Sequence, residues 1–284
     1  MELPDFIVRK KIKEFIEEDL GFGDITTRSI TNSIDSPRKA KIITREDGIV
    51  AGLQEASILF DFLKVKSTLT KADGSFIRAS DTLMELSGAI GGILQGERTA
   101  LNLLMRMSGI ATATNAIVKQ VQKINSRVRV ACTRKTTPGL RYFEKRAVSL
   151  GGGDSHRNRL DDMVLIKDNH LKIVPDISEV VKRVRERVSF TKKIEIEVTT
   201  IEQALEAATE KVDIIMLDNF SISEAQKVVD LLTQNNLRKL VLLEISGNIT
   251  PKNISEYAKL DVDIISLGYL THSAKALDLT LDLL

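Results

Sequence analysis

The sequence predicts an α/β protein in which a stretch of mixed helices and strands precedes an incomplete (β/α) barrel of six or seven strands. Three observations carry that expectation. From Arg127 onward short β-branched runs alternate with helical patterns, which implies βαβ units and a parallel sheet. Each run ends in polar or charged residues that a core would not select. The chain has 284 residues, 43% hydrophobic and 28% charged, an ordinary globular composition with enough apolar side chains for a sizeable core.

Phe6 to Leu20 predicts an amphipathic helix, with Phe6, Ile7, Ile12, Phe15 and Ile16 among Lys, Arg and Glu, stopped by Gly21-Phe22-Gly23-Asp24. Arg38 to Ile43 and Gly48 to Ala51 predict strands, Gln54 to Leu63 a helix, and Asp81 to Leu86 a further strand. Two helices follow, Gly92 to Met107 and Ala111 to Ile124. The later strand runs are 128–133, 163–166, 194–198, 212–217, 240–243 and 262–267. Pro138 after Thr137 reads as a first-turn proline behind its cap. Asp176 with Glu179, and Ser221 with Glu224, have capping-box spacing.

The six runs end in Arg134-Lys135, Lys167-Asp168, Glu197, Asp218-Asn219, Glu244 through Ser246-Gly247, and Gly268. An open doubly wound sheet concentrates ligand chemistry at one switch point. Functional ends on every strand favour a barrel, where they converge on one face.

Lys and Arg number 41 against 39 Asp and Glu, a formal net charge of +2, which argues against a nucleic-acid coat. A single cysteine, Cys132, excludes an intrachain disulfide and a cysteine-cluster metal site, and fits a reducing compartment. Met1-Glu2-Leu3-Pro4-Asp5 lacks a signal-peptide pattern, and no stretch reaches the ~18 apolar residues of a membrane span. The expectation is a soluble cytoplasmic protein with no membrane partner.

The charge balance is an average, because Arg127 to Lys172 holds eleven Lys or Arg against five acids. Lys145, Arg146 and Arg159 are expected on a solvated helix face. Arg134, Lys135 and Lys167 instead stand at strand ends, where guanidinium forks and a compact lysine charge suit a substrate with more than one anionic group. Gly151-Gly152-Gly153-Asp154-Ser155-His156-Arg157 reads as a flexible turn or, given its His-Arg pair, an anion-binding loop. His170 is expected to position its loop, and three scattered histidines with one cysteine make no zinc pattern. Glu197 and Asp218 close apolar strands, where an uncompensated carboxylate is costly. Three readings stay open for them: Mg²⁺ ligands, a structural ion pair with the cations, or an acid–base pair. Ser246-Gly247-Asn248 and the Gly268 to Ser273 segment lead into helices whose free N–H groups suit phosphate.

In these residues the chain resembles the quinolinate phosphoribosyltransferases, a type II phosphoribosyltransferase family, almost end to end. The resemblance is carried by Glu18 to Thr27, Gly96 to Asn102, Ser108 to Thr112, Thr133 to Arg141, Gly151 to Arg157 and Leu165 to His170. Glu195 to Val198, Met216 to Asn219 and Leu270 to Ser273 extend it. It implies an N-terminal α/β sandwich and dimerisation domain over 1–109 with the tail 274–284, and a catalytic incomplete barrel over 110–273. The implied reaction moves phosphoribose from phosphoribosyl pyrophosphate to quinolinate with decarboxylation, giving nicotinate mononucleotide, pyrophosphate and CO₂ on the route to NAD.

By the same resemblance Arg98 comes from the neighbouring subunit of a homodimer, or of a larger assembly such as a hexamer. It joins Arg134, Lys135, His156, Arg157 and Lys167 on quinolinate. Glu197 and Asp218 hold Mg²⁺ and the ribose hydroxyls, while Ser246, Gly247, Asn248, Ser266, Gly268 and His272 complete the phosphoribosyl pyrophosphate site. Lys135, Lys167, Glu197 and Asp218 form the catalytic set. Asn248 departs from the family pattern by replacing a second glycine, Ser155 by replacing asparagine, and Arg146 by replacing an aromatic.

Rival readings are weaker. A nicotinate phosphoribosyltransferase has no use for a two-carboxylate cation cluster. A paralogue found beside molybdenum-transport genes tends to lack the lysine that stands here as Lys167. A nucleic-acid patch needs aromatics among its cations for stacking, and only Tyr142 and Phe143 are there.

Overall fold

A computed structural model describes residues 4–31 and 33–284; Met1, Glu2 and Leu3 of the segment read for a signal peptide lie outside the described residues. The first elements are α1 Asp5–Leu20, α2 Ile25–Ile30, β1 Pro37–Thr44, β2 Gly48–Ile49, α3 Leu53–Phe62, β3 Lys66–Leu69, β4 Phe76–Ile77, β5 Thr82–Ala89 and α4 Ile90–Gln122. Then come β6 Arg129–Cys132, α5 Arg141–Leu150, β7 Val164–Ile166, α6 Asp168–Ile173, α7 Ile177–Arg187, β8 Ile194–Val198, α8 Ile201–Thr209 and β9 Ile214–Asp218. The chain closes with α9 Ile222–Gln234, β10 Leu242–Ser246, α10 Ile254–Tyr257, β11 Ile264–Leu267, α11 Tyr269–His272 and β12 Leu279–Leu283. Two compact units result: Met1–Asn115 with Pro138–Gly152 and Ala274–Leu284, and Ala116–Thr137 with Gly153–Ser273. The expected boundary after residue 109 leaves Pro138–Gly152 in the barrel, whereas its contacts group it with the first unit.

In the first unit β12-β1-β5-β3 form an antiparallel sheet. β1 buries Ala40, Ile42 and Thr44, the alternation a half-covered strand requires. α1 buries Val8, Ile12 and Ile16, four residues apart on one stripe. α2 escaped the sequence reading because it is short; the Asp24 carboxylate caps it by accepting from Thr27 N–H at 2.9 Å.

The two helices expected over 92–124 are one continuous helix of 33 residues. Ser108 and Gly109 do not end it, because they serve close packing. Ser108 Oγ donates to Ala51 O at 3.2 Å and accepts from Ala51 N–H at 3.0 Å. A Cβ on Gly109 would lie 2.0 Å from the carbonyl oxygen of Lys275. In an open helix Gly→Ala gains about 1 kcal/mol, but here the overlap decides the sign. Gly109→Ala is expected to destabilise by about 1–3 kcal/mol, the range for overpacking, read as a lowered midpoint in urea.

α5 begins at Arg141 rather than at Pro138, because Gly139 between them takes a left-handed φ of 84°. It also corrects the solvated-face expectation for Lys145 and Arg146, both of which are buried; Arg159 is exposed as expected. Arg146 Nη1 donates to Glu55 Oε2 and Asp73 Oδ2, each at 3.2 Å, and its Nη2 to Gln54 Oε1 at 2.9 Å. Buried Glu144 accepts from Arg106 at 2.8 Å.

The second unit is a parallel six-stranded sheet in the order β6-β11-β10-β9-β8-β7. β8 is buried along its whole length, the signature of a strand covered on both faces. β6 and β7 stand at opposite ends of this order, yet the carboxyl ends of all six strands line one cavity. The sheet therefore curls into a barrel with a seam. At the free edge of β6, Asp154 N–H donates to Val130 O at 2.8 Å and Asp154 O accepts from Cys132 N–H at 3.0 Å. The segment after the glycine triplet thus takes a strand's place there. No helix among the described residues is long and apolar enough to cross a membrane.

Candidate active site

The cavity at the strand ends measures about 660 Å³. Arg134 and Lys135 reach it from the end of β6, Arg157 from the seam segment, and Lys167 from the end of β7. Glu197 and Asp218 face it from β8 and β9, Ser246, Gly247 and Asn248 from β10 and the loop beyond, and Ser266 from β11. His156 lines it beside Arg157. Of the expected site residues, Arg98, Gly268 and His272 are not among its lining residues. Arg98 is exposed on α4. Gly268 backs the site, because a Cβ there would come within 3.0 Å of Lys135 Cδ and 2.8 Å of His272 Nε2.

Local bonds set the cations. Thr271 Oγ1 donates to the Lys135 carbonyl at 2.7 Å. His170 positions its loop, its Nδ1 accepting from Lys167 N–H at 2.8 Å. Lys167 Nζ then pairs with Glu197 Oε2 at 2.7 Å. Arg157 Nη1 donates to Met163 O at 3.3 Å. Cys132 is a buried strand residue whose Sγ donates to Ser155 O.

The electrostatics are those of a site awaiting charge. Arg134 Nε is buried without a hydrogen-bond partner. Burial lowers the Arg157 pKa, and the positive charge of Arg134 lowers it further. Two guanidinium groups in each other's field on one cavity wall suit an anion whose charge offsets both. On the other wall burial raises the Asp218 carboxyl, and the charge of Glu197 adds to the rise.

Sequence reasoning missed the support beneath this floor. His156 takes a left-handed φ of 50°, uncommon for a residue with a side chain. Its N–H donates to Asp154 Oδ1 at 2.8 Å, and its Nε2 lies 3.2 Å from Glu244 Oε2 and 3.4 Å from Glu195 Oε2, both carboxylates fully buried. Burial depresses the imidazole, but the two carboxylates outweigh it and would carry His156 up to about 10. Arg157 N–H already donates to His156 Nδ1 at 2.8 Å, however. That nitrogen is committed as an acceptor, so the ring hydrogen sits on Nε2 facing the carboxylates. Burial raises the Glu195 carboxyl, both of whose oxygens are buried without a hydrogen-bond partner. The same bond leaves Nε2 no lone pair for a cation, so His156, bonded to Glu244 with Glu195 close by, serves this compact group as a support beneath the floor. The available signal was Glu195 itself, a carboxylate inside an apolar strand two residues before Glu197.

A cavity with cations on one wall and carboxylates on another, at the carboxyl ends of a parallel barrel, defines a site for a small polyanionic substrate. Comparison with known proteins narrows the class. Residues 110–282 match the family described as quinolinate phosphoribosyl transferase, C-terminal domain, and residues 24–108 its N-terminal domain. The chain belongs to the quinolinate phosphoribosyl transferase family. It is 49% identical over 279 residues to a Methanocaldococcus jannaschii protein named probable nicotinate-nucleotide pyrophosphorylase (carboxylating), covering 96% of each chain. A Methanothermobacter thermautotrophicus protein of the same name is 44% identical over 274 residues, covering 96% of this chain and 97% of that one. The solved structure of NadC from Streptococcus pyogenes superposes with a TM-score of 0.92 at 35% identity, over 100% of this chain and 99% of that one.

Proposed function

We propose that the protein transfers phosphoribose from phosphoribosyl pyrophosphate to quinolinate and decarboxylates the adduct, forming nicotinate mononucleotide, pyrophosphate and CO₂ in NAD synthesis. Family membership carries the reaction. The observation that carries the substrate is the cation wall: Arg134, with its buried unpartnered Nε, beside Arg157, Lys135 and Lys167. Lys167 is paired with Glu197; two adjacent ring carboxylates supply the charge that offsets the other three cations, where a single carboxylate leaves part of the wall uncompensated.

In this reading Arg134, Lys135, Arg157 and Lys167 fix the pyridine ring with its nitrogen toward the ribose, while His156, turned toward Glu244, steadies Arg157. The loop at Ser246, Gly247 and Asn248 holds the 5-phosphate, with Ser266, Gly268 and His272 completing the phosphoribosyl pyrophosphate site. Glu197 and Asp218 bind the ribose hydroxyls and offset the positive charge that develops at the anomeric carbon as pyrophosphate leaves. The nitrogen lone pair closes the new C–N bond. The bond from C2 to its carboxylate then breaks, and its electron pair stays on C2 beside the positive nitrogen until C2 takes a proton.

Glu197 and Asp218 fit Mg²⁺: both offer hard oxygen donors to one cavity, and burial and the charge of Glu197 both raise the Asp218 carboxyl, which a divalent cation would offset. When bound, the ion would offset the charge of the leaving pyrophosphate. A homodimer or larger assembly in the cytoplasm goes with this reading. The exposed Arg98, which lines no part of the cavity of its own chain, is the residue assigned to a neighbouring subunit's site.

Calorimetry tests the assignment of the two walls. Asp218→Ala is expected to weaken Mg²⁺-dependent binding of phosphoribosyl pyrophosphate by about tenfold or more, the worth of a charged contact, with quinolinate affinity within about twofold. Equal loss of both ligands, or no quinolinate binding by the unsubstituted protein, would contradict it.

A further inference from the structure

The loops after β9 and β10 are joined by a directed chain of side-chain hydrogen bonds. Asn219 Nδ2 donates to Asp218 Oδ2 at 2.8 Å, and Asn248 Nδ2 donates to Asn219 Oδ1 at 3.0 Å. Chemistry fixes the direction. An ionised carboxylate only accepts, so Asn219 must turn its NH₂ toward Asp218, and the Oδ1 left behind requires a donor. Asn248 supplies it.

The backbone is shaped for this contact. Asn219 and Asn248 both take left-handed φ values, 60° and 51°, a conformation asparagine tolerates better than most residues. Between them Gly247 leaves the space they need, since a Cβ there would lie 2.4 Å from Asn219 Oδ1. Asn219 N–H donates to Ser246 O at 2.9 Å, which stitches the two loops at the main chain as well. On the far side Asn253 Nδ2 donates to Asn248 O at 3.1 Å, and Asn253 Oδ1 accepts from Thr250 N–H at 2.8 Å. The chain therefore runs from the turn before α10, through Asn248 and Asn219, to Asp218.

We propose that Asn248 is a positioning residue that couples the 246–248 loop to Asp218, so that filling the loop with a phosphate and setting the Asp218 carboxylate are one event. The inference rests on the functional reading above, in which that loop takes the 5-phosphate and Asp218 serves the ribose and Mg²⁺. Asn248 acts through Asn219, and its effect belongs in the cooperation between phosphate and cation rather than in either alone.

The test is phosphoribosyl pyrophosphate binding by calorimetry, without quinolinate, with and without Mg²⁺, in the unsubstituted protein and in Asn248→Gly. Glycine accepts the left-handed backbone, so the loop keeps its path and only the amide is lost. The factor by which Mg²⁺ tightens binding is expected to fall about three- to tenfold in Asn248→Gly, the worth of one hydrogen bond. Quinolinate binding measured alone and the thermal midpoint should stay near those of the unsubstituted protein, since Asn248 belongs to neither the quinolinate wall nor the core. An unchanged Mg²⁺ factor overturns the proposal and leaves the functional reading intact. Failure of the unsubstituted protein to bind phosphoribosyl pyrophosphate overturns both.

Discussion

Arg157→Ala is expected to lower kcat/KM for quinolinate by about 10²–10³-fold, the scale of truncating one partner of a desolvated charge pair. The side chain is 8% exposed and lies in the field of Arg134. Without substrate that proximity costs stability; with a carboxylate between the two guanidinium groups it becomes binding energy. The loss should therefore fall on quinolinate, with KM for phosphoribosyl pyrophosphate within about twofold, since Arg157 makes no ion pair with Glu197 or Asp218, as Lys167 does with Glu197. Folding should survive, because relief of the repulsion from Arg134 acts against the loss of the contacts that Arg157 makes, the bond to Met163 O among them. Steady-state kinetics with each substrate varied in turn, together with a thermal midpoint, check this. Unchanged quinolinate kinetics would remove Arg157 from the site.

The second large effect is on stability. Arg146→Ala should cost about 3–5 kcal/mol, the range for removing one partner of a buried ion pair. It leaves the buried Glu55 and Asp73 carboxylates facing each other without a cation. Burial raises the Glu55 carboxyl even with Arg146 present, and without it the rise is steeper. A group whose folded pKa lies above its unfolded one stabilises at low pH and loses that contribution as pH rises through the folded value. The deficit of Arg146→Ala should accordingly shrink toward acid pH and grow above the ordinary carboxylate range. Urea denaturation at several pH values measures both. A deficit below about 1 kcal/mol would return Arg146 to the solvated face that its place in a charged run suggests.

That contrast shows what was legible in the chain and what was not. The parallel strands were legible because each is a short β-branched run that stops at a polar residue, and the barrel followed from polar ends on all of them. Eleven of the fourteen named site residues line one cavity for the same reason. What escaped depends on partners far away in sequence. Arg146 looks like part of any basic helix face until Glu55 and Asp73 arrive from far away in sequence. Gly109 looks like a helix stop until the Lys275 backbone is set against it. His156 looks like an anion donor, while its ring is turned to Glu195 and Glu244 from two strands. Local pattern locates strand ends and loops; it does not say which buried charges will meet.

The family assignment makes one chemical demand that neither the fold nor the cation wall makes alone, that phosphoribosyl transfer and decarboxylation occur together. Quinolinate labelled in its 2-carboxylate, incubated with the protein, phosphoribosyl pyrophosphate and Mg²⁺, measures it directly. The expected result is labelled CO₂ released in step with pyrophosphate and nicotinate mononucleotide, none of it without phosphoribosyl pyrophosphate, and little turnover when nicotinate replaces quinolinate. Pyrophosphate release without CO₂, or nicotinate used as readily as quinolinate, would contradict the account.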